Sequence, residues 1–135
     1  MSFELIIVTP YGEAFRENVE GVVLPGSEGE FGVLAEHERF LSPLQIGEVE
    51  IRRADGLVYA AVADGFAEVT GERVAVLVES CELAGEIDVA RAEMARERSE
   101  QGLAELGDEQ DLRYREFDTA LARARNRLTV GNRAS

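Results

Sequence analysis

Every basic side chain in this sequence is a guanidinium: fourteen arginines and no lysine face 27 carboxylates. A guanidinium stays charged at ordinary pH and forks onto the paired oxygens of a carboxylate or a phosphate. Spacing then decides what each one can do. Arg91 has Asp88 three residues before it, but Arg98, Arg123 and Arg127 have no acid three or four residues away. On helices, Arg91 and Arg98 would share a face, and Arg123 and Arg127 would form a like-charge i,i+4 pair that costs ~0.2–0.5 kcal/mol alone. The chemistry on offer is anion binding. Two plainer readings stay open. Cations near a helix C-terminus are favoured by its dipole, and Arg125 also lacks acidic neighbours. The same arginines could instead reach carboxylates elsewhere on the chain or on another protein.

Catalytic groups are scarce. Glu36-His37-Glu38-Arg39-Phe40 looks like half of a metalloprotease motif, yet one histidine and one cysteine cannot supply the three or four ligands of a zinc site. No G-x-S-x-G occurs, and His37 has no obvious nucleophile beside it. A Walker A loop needs a lysine. Gly26-Ser27-Glu28-Gly29-Glu30-Phe31-Gly32 is glycine-rich, but its two carboxylates would repel a phosphate, so it reads as a turn feeding a strand. Glu28 and Glu30 could in principle do acid–base work; in a chain with 27 acids the solvated-turn reading is preferred. The expectation is a chain that is not itself an enzyme.

The elements that would position these groups fall into two halves. All three prolines and ten of the thirteen glycines precede residue 86. Phe3 to Thr9 is apolar and β-branched and stops at Pro10-Tyr11-Gly12; Gly21 to Leu24 is a second run, ended by Pro25-Gly26. Glu48 to Arg52 alternates with period two, and Asp55-Gly56 supplies a tight hairpin. Leu57 to Ala63, apolar on both sides, is expected in the interior; Phe66 to Val69 and Val74 to Val78 close the series. Short strands with turn signals every 8–12 residues indicate a β-sandwich or barrel. After Gly85 the texture turns helical. Asp88 is an N-cap for Val89 to Ala104, with Val89, Ala92, Met94, Ala95 and Leu103 as its apolar residues. Gly102 and Gly107-Asp108 break that helix. Tyr114, Phe117, Leu121, Ala124 and Leu128 then recur at steps of 3, 4, 3 and 4, which predicts a second helix with one apolar stripe. Thr129 to Ser135 has no pattern and is expected to fray. The fold class is α+β: residues 1–85 a β-sandwich, residues 86–135 an antiparallel two-helix hairpin held by a thin interface.

Charge narrows the partners. Of the net −13, residues 1–85 carry 5 Arg against 16 acids, and residues 86–135 carry 9 Arg against 11. So acidic a first half repels phosphate backbones and anionic leaflets, which excludes nucleic acid as a main partner. Cys81 alone makes no intramolecular disulfide. Met1 to Val8 lacks a basic n-region, and the longest apolar run is far below the ~20 residues of a membrane helix. A soluble chain without direct membrane insertion is expected.

Residues 22–41 carry a pattern. Val23-Leu24-Pro25-Gly26-Ser27-Glu28-Gly29-Glu30-Phe31-Gly32-Val33-Leu34, followed by His37, resembles the signature of the epsilon subunit of bacterial F-type ATP synthases. Ile7-Val8-Thr9-Pro10, Asp64-Gly65-Phe66-Ala67-Glu68-Val69 and Ala124-Arg125-Asn126-Arg127-Leu128 are similar to the same family, in the same order. Ala35-Glu36-His37-Glu38-Arg39 departs from the family's usual Pro-Gly-His-Ala-Pro, and Asp64 replaces a usual glycine.

The resemblance implies a sandwich of about ten strands with a C-terminal helical hairpin. It also implies a place in the rotor, against the gamma subunit and the c-ring, on the cytoplasmic face of the bacterial plasma membrane and held there by other subunits. By position, Glu30 and His37 would lie in loops near those partners. Some family members bind ATP on the folded hairpin through a motif that Ile87-Asp88-Val89-Ala90-Arg91-Ala92 matches. Matching positions add Glu82, Arg98, Arg123 and Arg127. No cofactor is then required, and ATP would be a regulatory ligand that favours the compact hairpin; when ATP is low the hairpin would extend toward the alpha and beta catalytic subunits and restrain hydrolysis. Two other readings compete: a freestanding β-sandwich adaptor with a helical tail, and a small-molecule enzyme using the acidic loops.

Overall fold

The computed structural model describes residues 2–35, 38–107 and 111–134. Ten strands come first: β1 Phe3–Thr9, β2 Gly12–Val19, β3 Gly21–Gly26, β4 Gly29–Leu34, β5 Phe40–Leu44, β6 Gly47–Arg53, β7 Gly56–Val62, β8 Gly65–Val69, β9 Arg73–Val78 and β10 Cys81–Leu83. Helices α1 (Val89–Leu106) and α2 (Leu112–Gly131) follow, with single 3-10 turns at Ala84–Glu86 and Asn132–Ala134. Contacts divide the chain into two compact units, Met1–Leu83 and Ala84–Ser135.

In the first unit the strands bond in the order β10-β7-β6-β3-β5-β8-β9-β1-β2, with β4 on β3. Between β3 and β5 the register is a single pair, Gly26 with Leu44. The sheet turns over at that joint and becomes the two layers of a sandwich. All neighbours are antiparallel except β1 with β9. The period-two pattern decides what is enclosed: Leu5 and Ile7 of β1, Val49 and Ile51 of β6, Ala67 and Val69 of β8, and Val74 and Val76 of β9 all point into one core. Opposite the joint, the Arg53 guanidinium reaches Glu17 Oε1 at 3.1 Å and ties β6 to β2.

Three details depart from the sequence reading. Pro25-Gly26 does not end β3, which runs on to pair Pro25 with Glu30 and Gly26 with Gly29. The missing proline N–H is harmless there, because β6 pairs with β3 only as far as Val23 and asks for no donor beyond it. Leu57 is half exposed, and only Ala60 to Ala63 are buried throughout, because the first residues of β7 lie beside the Asp55 hairpin tip. Strand β2 is visible in the structure and not in the pattern: only Phe15 and Val19 of its eight residues are buried, as suits the edge of a sheet.

The second unit is a helical hairpin. Asp88 caps α1 by accepting the Arg91 backbone N–H at 3.0 Å. Gly107, at φ +63°, closes α1 in the left-handed conformation. Gly102 breaks nothing; it sits inside α1, and the ring of Phe117 occupies the space where its side chain would be. Met94 faces solvent at 60% exposure, while Ser99 is buried. The facing stripe of α1 is therefore made of small residues, Ala92, Ala95, Ser99 and Gly102, which a hydrophobicity pattern does not register. Thr129 to Gly131 do not fray: Val130 is fully buried, and Gly131 lies against Ile87 and Val89.

Asp111 caps α2 and gives a pH prediction. Its carboxylate accepts from the Arg113 guanidinium and from the Arg113 backbone N–H, and these hold it below its ordinary value of 3.8. A carboxyl lowered on folding stabilises fully above its unfolded pKa and loses that contribution as pH falls through the folded one. Amide-exchange protection at Arg113 and Tyr114 should hold at neutral pH and decline below about pH 4. In Asp111→Ala it should already be low and stay flat across that range.

Candidate functional site

The hairpin sorts its charges by flank. Successive helical residues are rotated by about 100°. In an antiparallel pair, residues one before the facing stripe therefore lie on the same flank of both helices, and residues one after it lie on the other. Arg91 precedes Ala92, Arg98 precedes Ser99, Arg123 precedes Ala124 and Arg127 precedes Leu128, so all four arginines line one flank. The opposite flank offers a check. Glu93 and Glu100 follow stripe residues of α1, Arg125 follows Ala124 of α2, and Arg125 reaches Glu100 across the helices at 3.7 Å.

The two flanks are charged differently. On the second, Arg96 is clamped between Glu93 and Glu100, with Nη1 at 3.0 Å from Glu100 Oε1. These partners, Glu93 above all, hold the Arg96 guanidinium above its ordinary value. On the first flank Arg91, Arg98 and Arg123 are exposed, and none forms a side-chain ion pair among the described residues. Arg127 is half buried and has its own interactions. The Asp88 carboxylate stands at the end of this flank, occupied with its cap. Exposed guanidinia in a row, such as those of Arg91, Arg98 and Arg123, can fork onto the oxygens of a polyanion.

Of the eight expected nucleotide residues, the structure gathers seven in the second unit: Asp88 and the four arginines, with Ile87 and Ala92 buried in the hairpin. Glu82 belongs to β10 of the first unit, half buried and already engaged. Glu30 is exposed in β4, at the rim of a hollow of about 360 Å³ lined by Gly26 to Phe31, Ser42 and Pro43. His37 lies outside the described residues.

The strand unit carries a feature the sequence reading missed. Pro43 of β5 pairs with Phe66 of β8, Phe66 with Leu77 of β9, and Leu77 with Val8 of β1. Their inward-pointing neighbours, Leu44, Ala67 and Val76, are core residues, so this row stands on the outer face of one layer. Phe66 is 52% exposed, Leu77 51% and nearby Leu41 66%. The signal was an apolar residue at the outward phase of β8 and again of β9, where alternation calls for a polar one. Exposed apolar residues side by side on three strands, continued by half-buried Val8 on β1, form a patch rather than scattered singles, and such patches mark interaction surfaces.

Comparison with known proteins decides the affiliation. A profile described as "ATP synthase, Delta/Epsilon chain, beta-sandwich domain" matches residues 2–84, and one described as "ATP synthase, Delta/Epsilon chain, long alpha-helix domain" matches residues 86–131. The chain belongs to the ATP synthase delta/epsilon chain family. Among its relatives, the ATP synthase epsilon chain of Syntrophobacter fumaroxidans is 46% identical over 130 residues, covering 96% of each chain. That of Staphylococcus aureus is 42% identical over the same length and coverage. Two solved structures share the fold of this delta/epsilon chain. A chain of the Euglena gracilis mitochondrial ATP synthase OSCP/F1/c-ring structure has a TM-score of 0.78 at 23% identity, with 93% of this chain and 78% of that one covered. A chain of the Tetrahymena thermophila mitochondrial ATP synthase central stalk/c-ring structure has 0.60 at 16%, with 99% and 96% covered. Among the described residues no helix is long and apolar enough to cross a membrane.

Proposed function

We propose that this delta/epsilon chain is a non-catalytic rotor subunit of a bacterial F-type ATP synthase, docked on the central stalk by its strand unit and regulated through its helical hairpin. The row of exposed Pro43, Phe66 and Leu77, continued by half-buried Val8, carries the docking reading, because it presents a continuous apolar surface on one face of the sheet. The gamma subunit is its partner, and attachment to the membrane is peripheral, through the rotor. The arginine flank carries the regulatory reading. ATP binds the closed hairpin through those guanidinia, and at low ATP the hairpin opens and restrains hydrolysis. A ligand shifts such an equilibrium only by its differential affinity for the two states; a site split between two helices meets that condition, since opening divides it.

Docking is tested with purified gamma subunit. The chain should form a stoichiometric complex, and Phe66→Glu and Leu77→Glu should each weaken it at least tenfold while melting within a few degrees of the parent. Absence of a complex with the parent chain would overturn the rotor reading.

A further inference from the structure

The hairpin has two sockets, one on each helix and near opposite ends of the pair. Gly102 of α1 receives the ring of Phe117 of α2: a Cβ there would stand 2.5 Å from the ring. Gly131 of α2 receives the start of α1: a Cβ there would stand 2.9 Å from Val89 Cγ2 and 3.2 Å from Ile87 Cγ2. The spacings match. Val89 to Gly102 spans about 20 Å of helix and Phe117 to Gly131 about 21 Å, at 1.5 Å per residue. Both sockets therefore fill together in one axial register of the two helices. Slipping either helix by one turn, about 5.4 Å, would withdraw both knobs at once.

That register also sets the arginines. With Gly102 level with Phe117 and Val89 level with Gly131, Arg91 and Arg127 lie within about 3 Å of one another along the axis, and so do Arg98 and Arg123. The four guanidinia thus stand as two rungs across one flank. A slip of one turn would break both rungs, setting Arg91 near Arg123 in one direction or Arg98 near Arg127 in the other, and leaving the remaining two arginines without a partner across the flank.

We infer that Gly102 and Gly131 are positioning residues, reciprocal sockets that lock the axial register of the hairpin and so hold Arg91, Arg127, Arg98 and Arg123 as a two-rung polyphosphate site. The inference rests on the nucleotide reading for what the rungs bind, but the register lock can be read without nucleotide. A small interface holds two helices loosely; knobs in sockets add the specificity that small residues alone lack.

The test uses the full chain with Cys81→Ser and a reporter cysteine pair, Ala95→Cys with Ala124→Cys, which this register places face to face. A second pair, Ala95→Cys with Leu128→Cys, reports a one-turn slip. The first pair should cross-link readily and the second little. Gly102→Val and Gly131→Val should each lower the first by at least fivefold, and Phe117→Ala should restore cross-linking to Gly102→Val by vacating that socket. In the same variants without reporters, the melting shift produced by ATP should fall at least fivefold and return with the Phe117→Ala rescue. If both glycine variants cross-link as the parent does, the lock is wrong. If cross-linking responds as expected but the parent chain shows no ATP shift, the lock stands and the nucleotide reading fails.

Discussion

Gly65→Ala should unfold the strand unit or lower its melting temperature by tens of degrees, whereas Gly71→Ala, six residues away, should leave it nearly unchanged. A Cβ on Gly65 would stand 1.9 Å from the Leu77 carbonyl oxygen and 2.8 Å from Val78 Cα. Those are backbone atoms of the neighbouring strand, paired with Gly65 in the ladder, so no rotamer change can make room. The two strands must separate, at the place where Ala67 and Val76 enter the core. Overpacking of an ordinary core site costs ~1–3 kcal/mol; a clash with paired backbone belongs at or above the top of that range. Each kcal/mol moves the melting point by about 4–8 °C in a domain of this size. At Gly71 a Cβ meets nothing within 4 Å, and surface changes of that kind stay within about 0.5 kcal/mol. Thermal unfolding followed by circular dichroism separates the two. Equal melting temperatures would show that β8 and β9 are not packed as described.

What the sequence disclosed follows from how side chains advertise themselves. Strands with buried alternating residues, such as β6, announce themselves, because Val49 and Ile51 point inward and charged residues outward. Edge strand β2 does not, since half a sheet's face at the rim needs little apolar surface. The second helix was legible from its stripe of large residues. The matching stripe of α1 was not, because Ser99 and Gly102 contribute closeness rather than hydrophobicity, and closeness becomes visible only once Phe117 is seen over Gly102. The candidate site divides in the same way. The absence of acids around Arg98, Arg123 and Arg127 could be counted along the chain. That they share a flank with Arg91, while Arg125 faces Glu100 on the other, depends on the antiparallel register. The outward row of Phe66 and Leu77 lay in plain sight as apolar residues but could not be told from core until Ala67 and Val76 were seen to fill it.

The flank assignment leads to the sharpest functional expectation: Arg98→Ala and Arg123→Ala should each weaken ATP binding roughly 10–100-fold, and Arg125→Ala should not. A hydrogen bond to a charged group is worth ~1.5–3 kcal/mol, and each 1.4 kcal/mol is tenfold in affinity. None of this should be bought at the expense of the free protein. Arg98 and Arg123 are exposed and make no ion pair among the described residues, so their loss leaves the unliganded melting temperature within a degree or two. Arg123→Ala even removes a like-charge neighbour of Arg127, a gain of ~0.2–0.5 kcal/mol. Arg125→Ala does the reverse: it removes the cross-helix contact with Glu100, a surface pair worth ~0–1 kcal/mol, and leaves the arginine flank intact. ATP at a hundred times its Kd should stabilise the parent hairpin by ~2.7 kcal/mol. At that same concentration a variant bound 100-fold more weakly sits at its own Kd and gains only ~0.4 kcal/mol. A melting series in ATP over the parent and the three variants therefore reads position rather than charge, because each variant loses one arginine. If Arg125→Ala blunts the ATP response as strongly as Arg123→Ala, the anion is held by overall charge and not by this flank.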